Sequence, residues 1–241
     1  MRVSIIIPTY EEIRGIRETL AAVRRLEGDF EVLVVDGLSG DGTPDAVRSE
    51  GVACYPAPRG RASQMNEGAR RAVGSVLLFL HADTLLPPEA HRAIETALAD
   101  PTVDGGCFRL EYDDDHPLLR LSAFLTRSTN RLVHYGDSAY FVRAERFHEL
   151  GGYRTLPILE DLDLWTRLRR HGRLVVLDAA VTTSARRFTR NGAVRQQLKN
   201  VLIVGLYLLG VHPRRLERLY RPTRTEGGTD GVELHRPSKA G

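Results

Sequence analysis

The stretch Val3-Ser4-Ile5-Ile6-Ile7-Pro8-Thr9-Tyr10-Glu11-Glu12 decides the fold. Val3 to Ile7 reads as a strand buried on both faces, with Pro8 expected to end it. Immediately beyond, the residues turn polar. The same change recurs downstream, where Val32-Leu33-Val34-Val35 runs into Asp36 and Val76-Leu77-Leu78-Phe79-Leu80 into His81-Ala82-Asp83. A shorter apolar segment, Val52 to Tyr55, leads to Arg59-Gly60-Arg61.

Helical patterns separate these strands. Ile13, Ile16, Leu20, Val23 and Leu26 recur at three and four residues, with Arg14, Arg17, Arg24 and Arg25 off that stripe. This spacing predicts an amphipathic helix. Thr43-Pro44 reads as an N-cap followed by proline at the first helical position. Ser63 to Val73 reads as a further helix, and Pro87-Pro88 opens another that ends near Leu98. Strands alternating with helices predict an α/β fold, with a mostly parallel central sheet and helices on both faces. Past Asp100 the rhythm changes. Strands are expected at Gly105 to Tyr112, Ala139 to Val142 and Arg173 to Leu177, and helices at Leu118 to Leu132 and Glu160 to His171.

Composition narrows the chemistry. The 241 residues, 42% hydrophobic and 27% charged, suit one domain with a substantial core. The net charge of +3 is unevenly spread, since from Arg186 onward there are 12 basic and 4 acidic residues, leaving the preceding part at −5. Two cysteines, Cys54 and Cys107, make neither a disulfide framework nor a cysteine-only metal site. Only two lysines occur, Lys199 and Lys239, and neither stands in the Gly-Lys-Ser/Thr of a P-loop. The chain lacks Gly-x-Ser-x-Gly, His-Glu-x-x-His and a Gly-x-Gly-x-x-Gly after the first strand. It holds no apolar run of eighteen residues, and Met1 to Pro8 lacks the length and cleavage site of a signal peptide, so a cytoplasmic location is expected.

In an open parallel sheet, ligands bind beyond the carboxyl ends of the strands. Those ends here carry Pro8, Thr9, Tyr10 and Glu11, then Asp36, then Gly60, Arg61, Gln64 and Asn66, then His81, Ala82 and Asp83. Asp and Asn also favour turns and caps. Arg61, Gln64 and Asn66 are not explained that way. Gly37, Gly40 and Gly42 serve either a close backbone approach to a ligand or a tight turn.

Five segments together resemble the family 2 glycosyltransferases: Ser4 to Glu12, Val34 to Thr43, Arg61 to Ala69, Leu80 to Asp83 and Leu159 to Leu164. The resemblance runs from Met1 to about Pro213. It implies the GT-A fold and transfer of a sugar, with inversion, from a nucleotide-diphosphate donor such as a UDP- or GDP-sugar. It also implies a divalent cation, Mg²⁺ or Mn²⁺, because the leaving diphosphate concentrates negative charge. Asp83 matches the last Asp of the family's Asp-x-Asp motif and is the expected metal ligand. His81 stands in place of the first Asp. It either ligates Mn²⁺ or only hydrogen-bonds nearby, and the second reading is preferred. Asp36 is expected to hold the base, with Thr9, Glu11 and Arg61 around base and ribose. Asp161 matches the general base, with Glu160 beside it, although acidic residues favour a first helical turn in any case. Tyr135, Gly136, Asp137 and Trp165 are candidates for the acceptor side, against loop capping for the first three and core packing for Trp165. The short length, with Gly136-Asp137 and Thr183 to Phe188, resembles a small bacterial subgroup whose members are in part assigned to arsenosugar biosynthesis.

On this reading residues 1–213 form one domain. Residues 1–100 are its nucleotide-sugar half, 101–185 its acceptor and catalytic half, and 186–213 a basic and apolar C-terminal helix; residues 214–241 are a basic disordered tail. The family's Gln-x-x-Arg-Trp signature of processive synthases is missing, which implies transfer of a single sugar. Val201 to Val211 is apolar but too short to span a bilayer, and arginines flank it on both sides. Residues 193–221 are therefore expected either to pack on the body of the protein or against a second copy of the chain, which is the preferred reading, or to meet an inner membrane surface. A small-molecule or lipid-linked acceptor is expected, and no nucleic acid, because few aromatics interleave the arginines. Two other readings are a sugar nucleotidyltransferase, against which the missing lysine and glycine-rich loop after the first strand count, and a catalytically weak nucleotide-sugar-binding module.

Overall fold

The computed structural model describes residues 1–114, 116–125, 138–185 and 193–220. The strand Val3–Thr9 (β1) lies deep in the sheet, parallel to Phe30–Asp36 (β2) on one side and to Val76–Phe79 (β4) on the other. Ala53–Pro56 (β3) extends the sheet beyond β2, again in parallel. On the other side β4 pairs antiparallel with Tyr140–Arg143 (β7), and β7 antiparallel with Val103–Tyr112 (β6). Arg173–Thr183 (β8) then runs parallel to β6 and antiparallel to the two-residue strand Thr84–Leu85 (β5). The order is β3-β2-β1-β4-β7-β6-β8-β5, a mostly parallel sheet with antiparallel pairs at β7 and β5.

Side-chain alternation along β1 feeds two cores. Val3, Ile5 and Ile7 point to one face, against Ile16–Val23 (α1), Thr43–Ser49 (α2) and Ala90–Leu98 (α4). Ile6 points to the other, against Arg61–Arg71 (α3), Ala144–Glu149 (α6) and Glu160–His171 (α7). All four side chains are fully buried, each contributing about 1.5–3 kcal/mol through the apolar surface removed from water. Gly68 lets α3 lie close on this second face, because a Cβ there would stand 2.4 Å from the Ile6 side chain.

Several boundaries differ from expectation. Pro8 does not end the first strand but pairs with Val35 inside it. Pairing with β4 stops at Ile6–Phe79, so β1 has a strand partner on one side only at Pro8, where a missing N–H is tolerated. Thr43 is the first residue of α2, and the capping oxygen belongs to Asp41, which accepts from the Thr43 N–H at 2.9 Å. β8 runs on to Thr183, and β5 and α6 were not expected at all. At the C-terminus, the single expected helix is a pair, Ala193–Leu208 (α8) and Pro213–Tyr220 (α9), so the expected disordered tail begins with a helix instead. Pro117–Leu125 (α5) covers the start of the helix expected to reach Leu132; the remainder of that helix, residues 186–192 and the tail beyond Tyr220 lie outside the described residues.

Candidate active site

The carboxyl ends of β1 and β2 are laced together. The buried Asp36 carboxylate accepts the Thr9 hydroxyl at 3.1 Å, the Ser39 hydroxyl at 2.6 Å and the Ser39 N–H at 2.7 Å. Glu11, held at a positive φ of 56°, accepts the Gly40 N–H at 2.9 Å and gives its own N–H to Ser39 Oγ. Thr9 and Glu11, expected around base and ribose, therefore use the bonds seen here to shape these loops. Asp36 still lines a cleft of about 470 Å³ with Leu38, Ser39, Arg48, Cys54 and Pro56. A carboxylate offers about four acceptor positions, so one remains for a ligand N–H. Tyr10, at the rim, lies under the Arg59 guanidinium at 3.9 Å.

Gln64 and Asn66 are not aimed at a ligand. Gln64 is buried; its amide donates to the Thr9 carbonyl at 2.7 Å and the Val35 carbonyl at 2.9 Å, and accepts from the Gly60 N–H at 3.3 Å. It bolts the start of α3 to the ends of both strands. Asn66 brackets Tyr153, donating to its carbonyl at 2.8 Å and accepting its N–H at 2.9 Å. Both were expected to touch the donor. Their polar atoms serve the backbone because buried carbonyls and N–H groups need partners. Replacing Gln64 with Leu should remove its three bonds, although the Thr9 carbonyl keeps the Gly37 N–H at 2.8 Å, and cost about 2 kcal/mol. The check is a urea midpoint that falls at unchanged m-value; an unchanged midpoint would refute the bolt.

The start of α3 also reaches the start of α7. Arg61 Nε lies 2.6 Å from Oε1 of the buried Glu160, an ion-pair contact rather than an aligned hydrogen bond. Gly60, Arg61, Pro157 and Glu160 line a second cleft of about 430 Å³, closed on its far side by Arg214 and Glu217 of α9. Leu159, which caps α7, has a left-handed backbone with φ 64°, a conformation unfavourable for a leucine and one that recurs at functional sites.

The first turn of α7 contains three buried carboxylates, Glu160, Asp161 and Asp163, with different surroundings. Asp163 is neutralised by Arg167 at 2.8 Å and Arg154 at 3.2 Å. Arg167 also donates to the carbonyls of Leu150 and Gly152. The charge of the buried Asp161 reaches the Tyr153 phenol. Burial first, then the charge of Asp161, pushes that phenol well above its ordinary value, so Tyr153 stays protonated. Tyr153, Arg154 and Arg167 escaped the sequence reading. The signal was present in Gly151-Gly152-Tyr153, where both glycines take positive φ and a Cβ on Gly152 would meet Asn66 Oδ1 at 2.6 Å.

His81, Ala82 and Asp83 follow β4. The Ala82 carbonyl accepts the Thr19 hydroxyl at 2.5 Å, and the Asp83 carbonyl accepts the Ser184 N–H at 3.1 Å. This second bond ties the turn to the end of β8. His81 and Asp83 are half-buried. Among the described residues no three His, Cys, Asp or Glu side chains gather into a metal cage. A hard cation held by one or two carboxylates, water and substrate phosphates needs no such cage. The donor set at Asp83 fits that kind of ion.

One expectation for the acceptor side changes. Trp165 is a core residue, 1% exposed and stacked on Tyr140 at 5.3 Å between centroids. Tyr135, Gly136 and Asp137 lie outside the described residues.

The sheet, with polar residues gathered at the carboxyl ends of its parallel strands, is of the open α/β class. The family model for glycosyl transferase family 2 matches residues 4–152, and the chain belongs to that family. It is 29% identical over 167 residues to an undecaprenyl-phosphate 4-deoxy-4-formamido-L-arabinose transferase of Sodalis glossinidius, covering 61% of this chain and 49% of that one. It is 34% identical over 155 residues to a validoxylamine A glucosyltransferase of Streptomyces hygroscopicus subsp. jinggangensis, covering 57% and 36%. The alignments thus span half or less of these curated relatives. Among solved structures, the mannosyltransferase PcManGT of Pyrobaculum calidifontis, in complex with GDP-Man and Mn²⁺, superimposes with a TM-score of 0.66 at 22% identity, covering 90% of this chain and 67% of that one. S. aureus TarS 1-349 with UDP-GlcNAc gives 0.61 at 19% identity, covering 76% and 58%. The fold is accordingly GT-A-like.

Proposed function

We propose that this chain transfers one sugar, with inversion, from a UDP- or GDP-linked donor to an acceptor hydroxyl, using a divalent cation and Asp161 as general base. The observation that carries this reading is the start of α7, where the buried Glu160 meets Arg61 from the start of α3 and lines a cleft of about 430 Å³ with it, one residue before the buried Asp161. The acceptor oxygen forms a bond to the anomeric carbon as the bond from that carbon to the diphosphate breaks. Its proton passes to Asp161. Asp36 orients the base, and Gln64, Asn66 and Arg61 hold the frame around it. A Mg²⁺ or Mn²⁺ ion held by Asp83 and the donor phosphates would offset the charge of the leaving group. His81 hydrogen-bonds nearby rather than ligating the ion. The complexes of PcManGT with GDP-Man and of TarS with UDP-GlcNAc support this donor class. Those sequence features of the arsenosugar-assigned subgroup that lie at 136–137 and 186–188 fall outside the described residues.

A thermal-shift panel of UDP- and GDP-sugars with Mg²⁺ or Mn²⁺ tests the donor half. The expected result is stabilisation by a sugar nucleotide that requires the cation and is lost in Asp83→Asn, because anything that binds only the folded state raises its stability. Equal stabilisation without cation would remove the metal from the proposal. Binding without turnover across donors and acceptors would favour a nucleotide-sugar-binding module.

A further inference from the structure

One side of α8 is buried: Gln196, Ile203 and Val204 are each 5% exposed or less, and Ile203 packs with Ile158 and with Leu216 of α9. A protein helix normally turns its other side to water with polar residues. Here the outer side carries Leu198, Val201 and Leu202, each more than half exposed, and continues at Leu208 and the 83% exposed Leu209. Val201 and Leu202 follow Leu198 by three and four residues, and Leu208 and Leu209 follow them by seven, which places all five on one stripe. The neighbouring helix α5 packs against α8 and adds two more exposed side chains, Leu121 and Phe124. So much exposed apolar surface on two touching helices marks an interaction site.

Charge selects the partner. Arg195 is exposed at the start of the stripe, with Lys199 half-buried one turn on, and Arg120 is exposed beside Leu121. Arg214 and Arg215 are exposed at the start of α9, beyond the far end of the stripe. No helix among the described residues is long and apolar enough to cross a membrane. An apolar stripe with cations at its margins is the pattern of a helix lying in the plane of an anionic bilayer surface.

We propose that the outer faces of α5 and α8 form a docking surface for an anionic lipid bilayer. The inner side of α8 packs on Ile158, two residues before Glu160, and α9 closes the cleft that Glu160 lines. A bilayer seated on the outer side therefore lies one helix thickness from the carboxylates of α7. This surface stands independently of the transfer reaction, and its test needs no turnover.

The experiment is flotation of the full chain with vesicles of phosphatidylcholine, alone or mixed with phosphatidylglycerol, at low and high salt. Binding is expected to the mixed vesicles, with loss at high salt as the surface charges are screened. The double variants Leu198→Glu/Leu202→Glu and Leu121→Glu/Phe124→Glu should each lower vesicle affinity at least tenfold while leaving the thermal unfolding midpoint and the response to sugar nucleotides unchanged. Arg195→Gln/Lys199→Gln should weaken binding and flatten its salt dependence. No flotation with anionic vesicles at low salt would overturn the proposal. So would a dimer seen by light scattering that Leu198→Glu/Leu202→Glu disrupts while lipid binding is absent, since the stripe would then meet a second copy.

Discussion

Asp161→Asn is expected to lower kcat by about 10²–10⁴-fold, the usual contribution of a positioned base, or about 3–5 kcal/mol in the barrier. Donor affinity should stay within a factor of about two, because the amide keeps the size and one acceptor oxygen of the carboxylate. Folding stability should change less than turnover, since the amide is nearly isosteric with the carboxylate. Asp163→Asn provides the contrast. It removes the charge that Arg167 and Arg154 both bind and should cost folding stability first, with activity falling only as far as the Tyr153 segment moves. Single-turnover measurements at saturating donor separate the two. Near wild-type transfer by Asp161→Asn would remove it as the base.

The parts legible in the sequence are those in which one residue type admits one physical outcome. Val3, Ile5, Ile6 and Ile7 are too apolar for anything but a strand covered on both faces, and the polar turn at each strand end then marks the rim. α7 matches its expected range, Glu160 to His171, residue for residue. Polar residues are different, because sequence shows their chemistry but not their direction. Gln64 and Asn66 stand beside Arg61 in one motif, yet both turn to backbone while Arg61 reaches Glu160. Trp165, on the same helix as the carboxylates, is carried by the helical period into the core, where it stacks on Tyr140. Nothing in the sequence singles out Arg167. Its role depends on carbonyls 15 and 17 residues earlier, and no periodicity encodes such a contact. The same limit applies to the C-terminus, where charge suggested a tail and the burial of Leu216 against Ile158 and Ile203 instead holds α9.

Arg167→Met should be the most destabilising of the polar substitutions considered. The side chain is 11% exposed and its partner Asp163 8%, so the change leaves a buried carboxylate with only Arg154, which is 65% exposed. It also strips donors from the carbonyls of Leu150 and Gly152. Breaking one side of a buried pair costs about 3–5 kcal/mol, equivalent to a fall in Tm of about 10 °C for a chain of this size. The pair itself need not contribute that much, because much of the loss is the desolvated charge left behind. Removing both charges separates these contributions. Arg167→Met/Asp163→Leu should recover stability to within about 2 kcal/mol of the parent, since neither buried charge remains and Arg154 is free to turn to solvent. A double variant no more stable than Arg167→Met would place the cost in the two lost carbonyl bonds. Asn66 still grips Tyr153 from the other side in both variants. Activity should therefore fall less than stability, and a parallel collapse of kcat would show that the arginine, not the asparagine, positions the phenol beside Asp161.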